Sequence, residues 1–125
     1  MKSLYMLVFC SALLAACSSS KADSGSAEQH AHKPTMNVTW KVSGNQITVK
    51  VDTDLHISPE HYGQARADGE GHIHMYLDHG EKVGVKEEEK TFPNLEPGKH
   101  NLKVSLHNND HTPYDVTEII DFEIK

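Results

Sequence analysis

Met36-Asn37-Val38-Thr39-Trp40-Lys41-Val42-Ser43-Gly44-Asn45-Gln46-Ile47-Thr48-Val49-Lys50-Val51 is the stretch whose reading decides the fold. Apolar residues recur at every second position on both sides of Gly44-Asn45, which puts them on one face of an extended chain. Two such runs joined by a tight turn predict a β-hairpin with one buried and one wet face. Toward the C terminus the alternation returns at residues 72–77, with Ile73, Met75 and Leu77 on one face and His72, His74 and Tyr76 on the other. Asp78-His79-Gly80 turns the chain into residues 81–85, and residues 86–90 read as a charged connection or strand edge. Residues 99–107 make the strongest strand, with Leu102, Val104 and Leu106 inward. A polar loop at 108–114 and a last strand at 116–124 follow. Between Asp52 and Gly71 the β character is weak. Ser58-Pro59-Glu60-His61 predicts one helical turn there, and Asp68-Gly69-Glu70-Gly71 a chain reversal. About seven short strands with turns between them predict an all-β domain over residues 36–125, an immunoglobulin-like antiparallel β-sandwich with Trp40, Met75 and Phe92 in its core.

In the other direction the composition changes twice. Met1-Lys2 gives a basic start, and residues 4–16 are almost wholly apolar or small. That run is too short to span a bilayer comfortably, which takes about 20 residues. Its build predicts a signal peptide over residues 1–16. Leu14-Ala15-Ala16-Cys17 resembles the lipobox of bacterial lipoproteins. The resemblance implies cleavage before Cys17 and lipid on its thiol, with acyl chains such as palmitate as the membrane anchor. An ordinary secretory signal shares the small-residue pattern, but the polar stretch after Cys17 favours the lipidated form, because an anchor needs a tether. Residues 17–35, rich in Ser, Ala, Lys, Asp and Gly, predict that flexible tether. The expected location is the extracytoplasmic face of the cell membrane.

The only cysteines are Cys10 and Cys17, so the β domain has neither disulfide nor thiol. Thiol redox chemistry, cysteine nucleophiles and a blue-copper centre are thereby excluded. The net charge of −6, with neutral histidines, lacks the basic footprint of a nucleic-acid partner. The unusual count is histidine: ten residues, all after Cys17. Imidazole is the commonest protein metal ligand.

His72-Ile73-His74 is the sharpest feature. Side chains at i and i+2 of a strand share a face about 6–7 Å apart, so two imidazoles can converge on one ion. Copper and zinc favour such ligands. A third ligand has to come from elsewhere. In the expected sandwich the strand carrying His72 runs antiparallel beside the strand that ends at His107. That arrangement brings His107, Asp110 and His111 near the pair, and His56 lies in the loop entering the same end. The candidate metal residues are therefore His56, His72, His74, His107, Asp110 and His111. The bland alternative leaves His72 and His74 on a wet sheet face and makes Asp110 a loop-fixing residue. His61, His79 and His100 read as exposed and incidental.

Gly71-His72-Ile73-His74-Met75-Tyr76-Leu77-Asp78, followed by Gly98-Lys99-His100 and Asn108-Asn109-Asp110-His111, resembles a group of small exported bacterial domains. That group shares a G-H-x-H-x-Y-x-D element and an N-x-D-H or N-D-H element after an apolar strand. The resemblance covers roughly residues 55–114 and implies an immunoglobulin-like sandwich associated with extracytoplasmic metal handling, chiefly of copper. By position it carries over His72, His74, Asp110 and His111. The charged residues 86–90 depart from the group, which more often has aromatic residues there, and this withholds support from any ligand in that segment.

The function expected from these residues is extracytoplasmic capture or delivery of copper or zinc by ligand exchange at an open histidine site. The membrane is held through Cys17, and a metal-handling protein of the envelope is the expected partner. Its affinity is expected to fall as pH drops through the histidine range. The alternative is a non-catalytic interaction module of the cell envelope. No HExxH element and no serine in an activating motif is present, so an enzyme is not expected.

Overall fold

A computed structural model describes residues 32–125. The signal peptide, Cys17 and most of the tether expected from the sequence lie outside the described residues. The chain forms β1 (Met36–Ser43), β2 (Gln46–Thr53), β3 (His56–Ile57), β4 (Glu70–Leu77), β5 (Lys82–Val85), β6 (Glu89–Phe92), β7 (Gly98–His107) and β8 (Pro113–Ile124), with one 3-10 turn at Pro59–His61. The turn stands where Ser58-Pro59-Glu60-His61 predicts one. β6 occupies the end of the segment read as a charged connection, and the two-residue β3 lies where little β character was legible.

The quoted hairpin pairs Ser43 with Gln46 and Met36 with Thr53, and Gly44 at φ 59° supplies the left-handed turn. β6 joins the other edge of β2, giving a three-stranded sheet in the order β1-β2-β6. The second sheet runs β3-β4-β7-β8, with β5 also paired to β4. Its pairings are antiparallel except for the short β3–β4 contact, which is parallel. Val38, Ile47, Val49, Val51 and Phe92 of the first sheet meet Ile73, Met75, Leu102, Val104, Leu106, Ile120, Phe122 and Ile124 of the second in one core. Two sheets closing on a shared apolar layer make an immunoglobulin-like β-sandwich.

Trp40 corrects one expectation. It pairs with Val49 on the core-facing side of β1, yet it is 46% exposed. β1 is an outer strand, and only Val38 along it is buried, so Trp40 and the 37% exposed Val42 overhang the sandwich. Alternation fixes which face a residue takes; it does not say whether the opposite sheet reaches far enough to cover it.

Gly71, at the start of β4, holds the two central strands of the second sheet at an unusually close approach. A Cβ there would lie 2.0 Å from the His107 carbonyl oxygen and 3.3 Å from the Leu55 side chain. Backbone on neighbouring strands has no room to yield. Gly71→Ala is therefore expected to cost about 2–3 kcal/mol. Chemical denaturation of the full chain reads this directly; a variant as stable as the parent would show that β4 and β7 are free to separate.

Candidate metal centre

β4 carries His72 and His74 on the face turned away from Ile73 and Met75. Its partner β7 runs antiparallel, pairing His72 with His107 and His74 with Ser105. Outward residues of a sheet are usually wet, but His72 is 0% and His74 2% exposed. The cover comes from the loop after the 3-10 turn. Tyr62 lays its ring 4.4 Å from the His72 ring and 4.7 Å from the His111 ring, centroid to centroid. Gly84 on β5 makes room for it, since a Cβ there would sit 2.3 Å from the Tyr62 hydroxyl.

The loop is fastened by Asn109, which is 1% exposed. Ser58 Oγ donates to Asn109 Oδ1 at 2.9 Å, Asn109 Nδ2 donates to Glu70 Oε2 at 3.0 Å, and Gly63 N donates to the Asn109 carbonyl at 2.8 Å. His61 Nδ1 donates to the same Glu70 oxygen at 2.8 Å. The Asn109 and His61 hydrogen bonds hold Glu70 below the usual carboxylate range.

His111 enters from the loop between β7 and β8 with φ at 70°, a left-handed conformation that disfavours a side chain. Its amide donates to the Asn108 carbonyl at 2.9 Å, and its carbonyl accepts from His107 Nδ1 at 3.0 Å. The result is a meeting of ring nitrogens. His72 Nε2 lies 2.8 Å from His74 Nε2 and 3.0 Å from His111 Nδ1. One ligand atom from each of the three lies within 4.8 Å of the other two, and among the described residues no carboxylate joins them. An ion with bonds of about 2.0–2.1 Å bridges nitrogens up to about 4.2 Å apart, a limit that the His72–His74 and His72–His111 pairs meet.

Without an ion the cluster is poorly satisfied. A neutral imidazole has one N–H and one in-plane lone pair, so a nitrogen facing two others can satisfy only one of them well. The Nδ1 atoms of His72 and His74 are also buried without a hydrogen-bond partner. Each such atom costs about 1–3 kcal/mol. A cation at the meeting point accepts three lone pairs at once, so the arrangement suits a ligand set better than a packing motif.

Burial, followed by the neighbouring His111 and His107, lowers His72 to about 4. Burial, followed by His107 and His72, lowers His74 to about 3. Both rings are neutral near pH 7, the state that binds metal.

Of the six candidates, the structure gathers His72, His74 and His111 as donors. His107 stands beside them, stacked on His74 at 3.7 Å, but both its nitrogens are engaged. Nδ1 donates to the His111 carbonyl, leaving Nε2 to accept from Ser105 Oγ at 2.8 Å. Burial lowers its pKa as well, in keeping with that neutral form. His107 therefore backs and positions ligands.

Asp110 and His56 are not brought into the group. Asp110 accepts from the Thr112 amide and hydroxyl and from Arg66 Nε at 3.0 Å. The Thr112 hydrogen bonds, then Arg66, lower it to about 2 and fix the loop. His56 is exposed on β3. His100, read as incidental, instead bridges the Asp78 carboxylate at 2.7 Å and the Glu96 carbonyl at 2.6 Å, with only 10% of its side chain exposed. Those two partners raise its pKa. Asn109 stands in the Asn108-Asn109-Asp110-His111 element read from the sequence, whereas Tyr62 was not identified as part of the site. Nothing local marks Tyr62, and the Gly84 that receives it is far away in sequence.

The first described residues reach the same end of the molecule. Thr35 N donates to Asp54 Oδ1 at 2.7 Å, and Thr53 Oγ1 to the Thr35 carbonyl at 2.6 Å. Lys33 helps line an open cleft of about 460 Å³ with Arg66, Asp68, Asn108, Tyr114 and Asp115.

No protein-family model matches the chain, and no curated protein does. Among solved structures the chain is similar to the PKD1 domain of Vibrio anguillarum Epp, at 11% identity and a TM-score of 0.48, covering 74% of this chain and 93% of that one. It is similar also to the PKD1 domain of the Vibrio cholerae metalloprotease PrtV, at 12% identity and a TM-score of 0.49, covering 74% and 96%. A third is the extracellular domain of the putative one component system BT4673 from B. thetaiotaomicron, at 16% identity and a TM-score of 0.41. There 65% of this chain matches, and the match spans 10% of that one. These are distant likenesses of β architecture; the sandwich itself stands on the strand pairing and shared core described above.

Proposed function

We propose that this chain is an extracytoplasmic, lipid-anchored metal-binding protein that captures copper or zinc at His72, His74 and His111 and passes it on by ligand exchange. The observation that carries the reading is the convergence of three histidine ring nitrogens, those of the buried His72 and His74 and the half-buried His111, with no carboxylate among them in the described residues. Anchoring through Cys17 rests on the lipobox resemblance and the tether composition. Three imidazole donors leave room in the coordination shell for a ligand from a delivering or accepting protein, which is what exchange requires. The chain is read as a carrier, not a catalyst.

Titrating the purified full chain, with Cys10→Ser and Cys17→Ser so that no thiol takes the ion, with Cu(II), Cu(I) and Zn(II) tests this. The expected result is one tight equivalent of the preferred ion. Weak binding spread over several sites would mean that the histidines act independently, and the reading would fail.

A second reading, an interaction module of the envelope, is favoured by one observation. Trp40, Val42 and the 61% exposed Ile119 are large apolar side chains left on the surface. A membrane pull-down in which a specific partner persists under chelation, and is lost on Trp40→Ser, separates this reading from the first.

A further inference from the structure

We propose that the three-imidazole site selects its ion by charge and takes a monovalent d10 cation, of the class of Cu(I) and Ag(I), in preference to a divalent one. The inference rests on reading His72, His74 and His111 as a metal site and names what that site accepts.

The argument is one of uncompensated charge. Imidazole donates its lone pair as an uncharged ligand, and among the described residues no carboxylate or thiolate belongs to the group. The two carboxylates on the elements that carry the ligands are committed elsewhere. Glu70 of β4 is held by His61 and Asn109, and Asp110 by Thr112 and Arg66.

Among the described residues, the charges that face the site are those of lysines. The β4–β5 register sets Lys82 opposite Tyr76 and Gly84 opposite His74, so Lys82 and Gly84 share the face of the histidines, and Lys86 follows directly after the strand. Lys86 Nζ lies 4.2 Å from the centre of the Tyr62 ring, the same ring that covers His72. On the other side Lys103 of β7 pairs with Tyr76 and places its Nζ 5.3 Å from that ring.

An ion seated there keeps its full charge in a largely dry place. The cost of removing an ion from water grows with the square of its charge, and repulsion from the lysines grows in proportion to it. Both terms weigh more heavily on a divalent cation; attraction to the imidazole lone pairs also grows with charge, but among the described residues no anionic donor adds to it to offset the lysines. Alkali cations are excluded on chemical grounds, since they prefer oxygen donors to imidazole nitrogen.

The test uses the full chain carrying Cys10→Ser and Cys17→Ser, so that no thiol competes, with Ag(I), Zn(II) and Cu(II) as probes in calorimetric titrations. His72→Ala/His74→Ala in the same background supplies the blank. Ag(I) is expected to bind as one tight equivalent above the blank and to resist displacement by excess Zn(II) or Cu(II). Lys82→Gln/Lys86→Gln is expected to keep that equivalent and to raise divalent affinity on the order of fivefold more than Ag(I) affinity at low salt. Lys82→Gln alone is expected to give a smaller shift of the same sign, and it serves where the double variant does not fold. If none of the ions binds above the blank, the metal-site reading itself falls. A tight Zn(II) or Cu(II) equivalent with Ag(I) held more weakly, or lysine variants that shift all ions equally, leaves the metal site standing and overturns charge selection.

Discussion

Replacing His72 and His74 together by alanine is expected to weaken binding of the preferred ion by about a hundredfold or more and to remove the single tight equivalent. The two residues supply two of three converging donors, and the remaining His111 is a lone imidazole at the rim of the sheet. One imidazole cannot hold an ion against water and buffer as three preorganised ones do. The fold is expected to survive, because the core-facing side of β4 is made by Ile73 and Met75. The variant also discards two buried nitrogens that lack hydrogen-bond partners. Equilibrium titration, with circular dichroism to confirm the sandwich, checks both halves of the claim. His100→Ala is the control. It breaks the bridge to Asp78 and Glu96 but leaves the three donors in place, so its metal affinity is expected to match the parent's. Undiminished binding by the double variant would sink the site.

The second large effect is acid sensitivity of the metal-free protein. His72 and His74 are depressed to about 4 and about 3 in the fold, chiefly by burial. In the unfolded chain the same residues take up protons near 6.5. Between those values the unfolded state binds more protons than the native one, so stability falls as the pH falls. The contribution is fully present above about 6.5, drains away on descent through about 4 and 3, and is then gone. Together the two histidines are expected to remove several kcal/mol of stability over that interval. His100 acts in the opposite sense: its raised pKa favours the fold at low pH, and that support is lost as pH rises through its folded value. Urea midpoints measured from pH 7 to pH 4 should decline in the parent and stay flatter in His72→Ala/His74→Ala. Equal slopes would show that the buried histidines do not control the transition. For His72 and His74 proton competition with metal is likewise moved below the ordinary histidine range, to a lower pH than the sequence alone suggests.

The sandwich was legible because alternation is a local property. Residues 46–51 and 102–106 state their inward faces without reference to anything distant, and Ile47, Val49, Val51, Leu102, Val104 and Leu106 are all buried as that pattern requires. Trp40 shows the boundary of the method, since coverage at a strand end depends on the length and placement of another sheet. The same division holds at the candidate site. His72 and His74 could be paired from i, i+2 spacing, and His111 reached from the loop after the strongest strand. The distinction among His107, Asp110 and His111 was not legible, because it turns on rotamers and on bonds to Ser105, Thr112 and Arg66. Nor was the burial of an outward face, which depends on one tyrosine from a loop with little regular structure crossing to a glycine on another strand.

The docking of residues 33–35 beside the loops that hold His111 bears on position. If the chain is anchored through Cys17 as proposed, the leash joins the domain at the same end as the histidines. The site then stays within the leash's length of the membrane. A partner that exchanges metal with it would meet it along the lipid surface, and a protein seated in the same membrane is geometrically better placed for that than a freely diffusing one. Such a carrier works in two dimensions, and its rate of exchange is governed by surface density instead of bulk concentration.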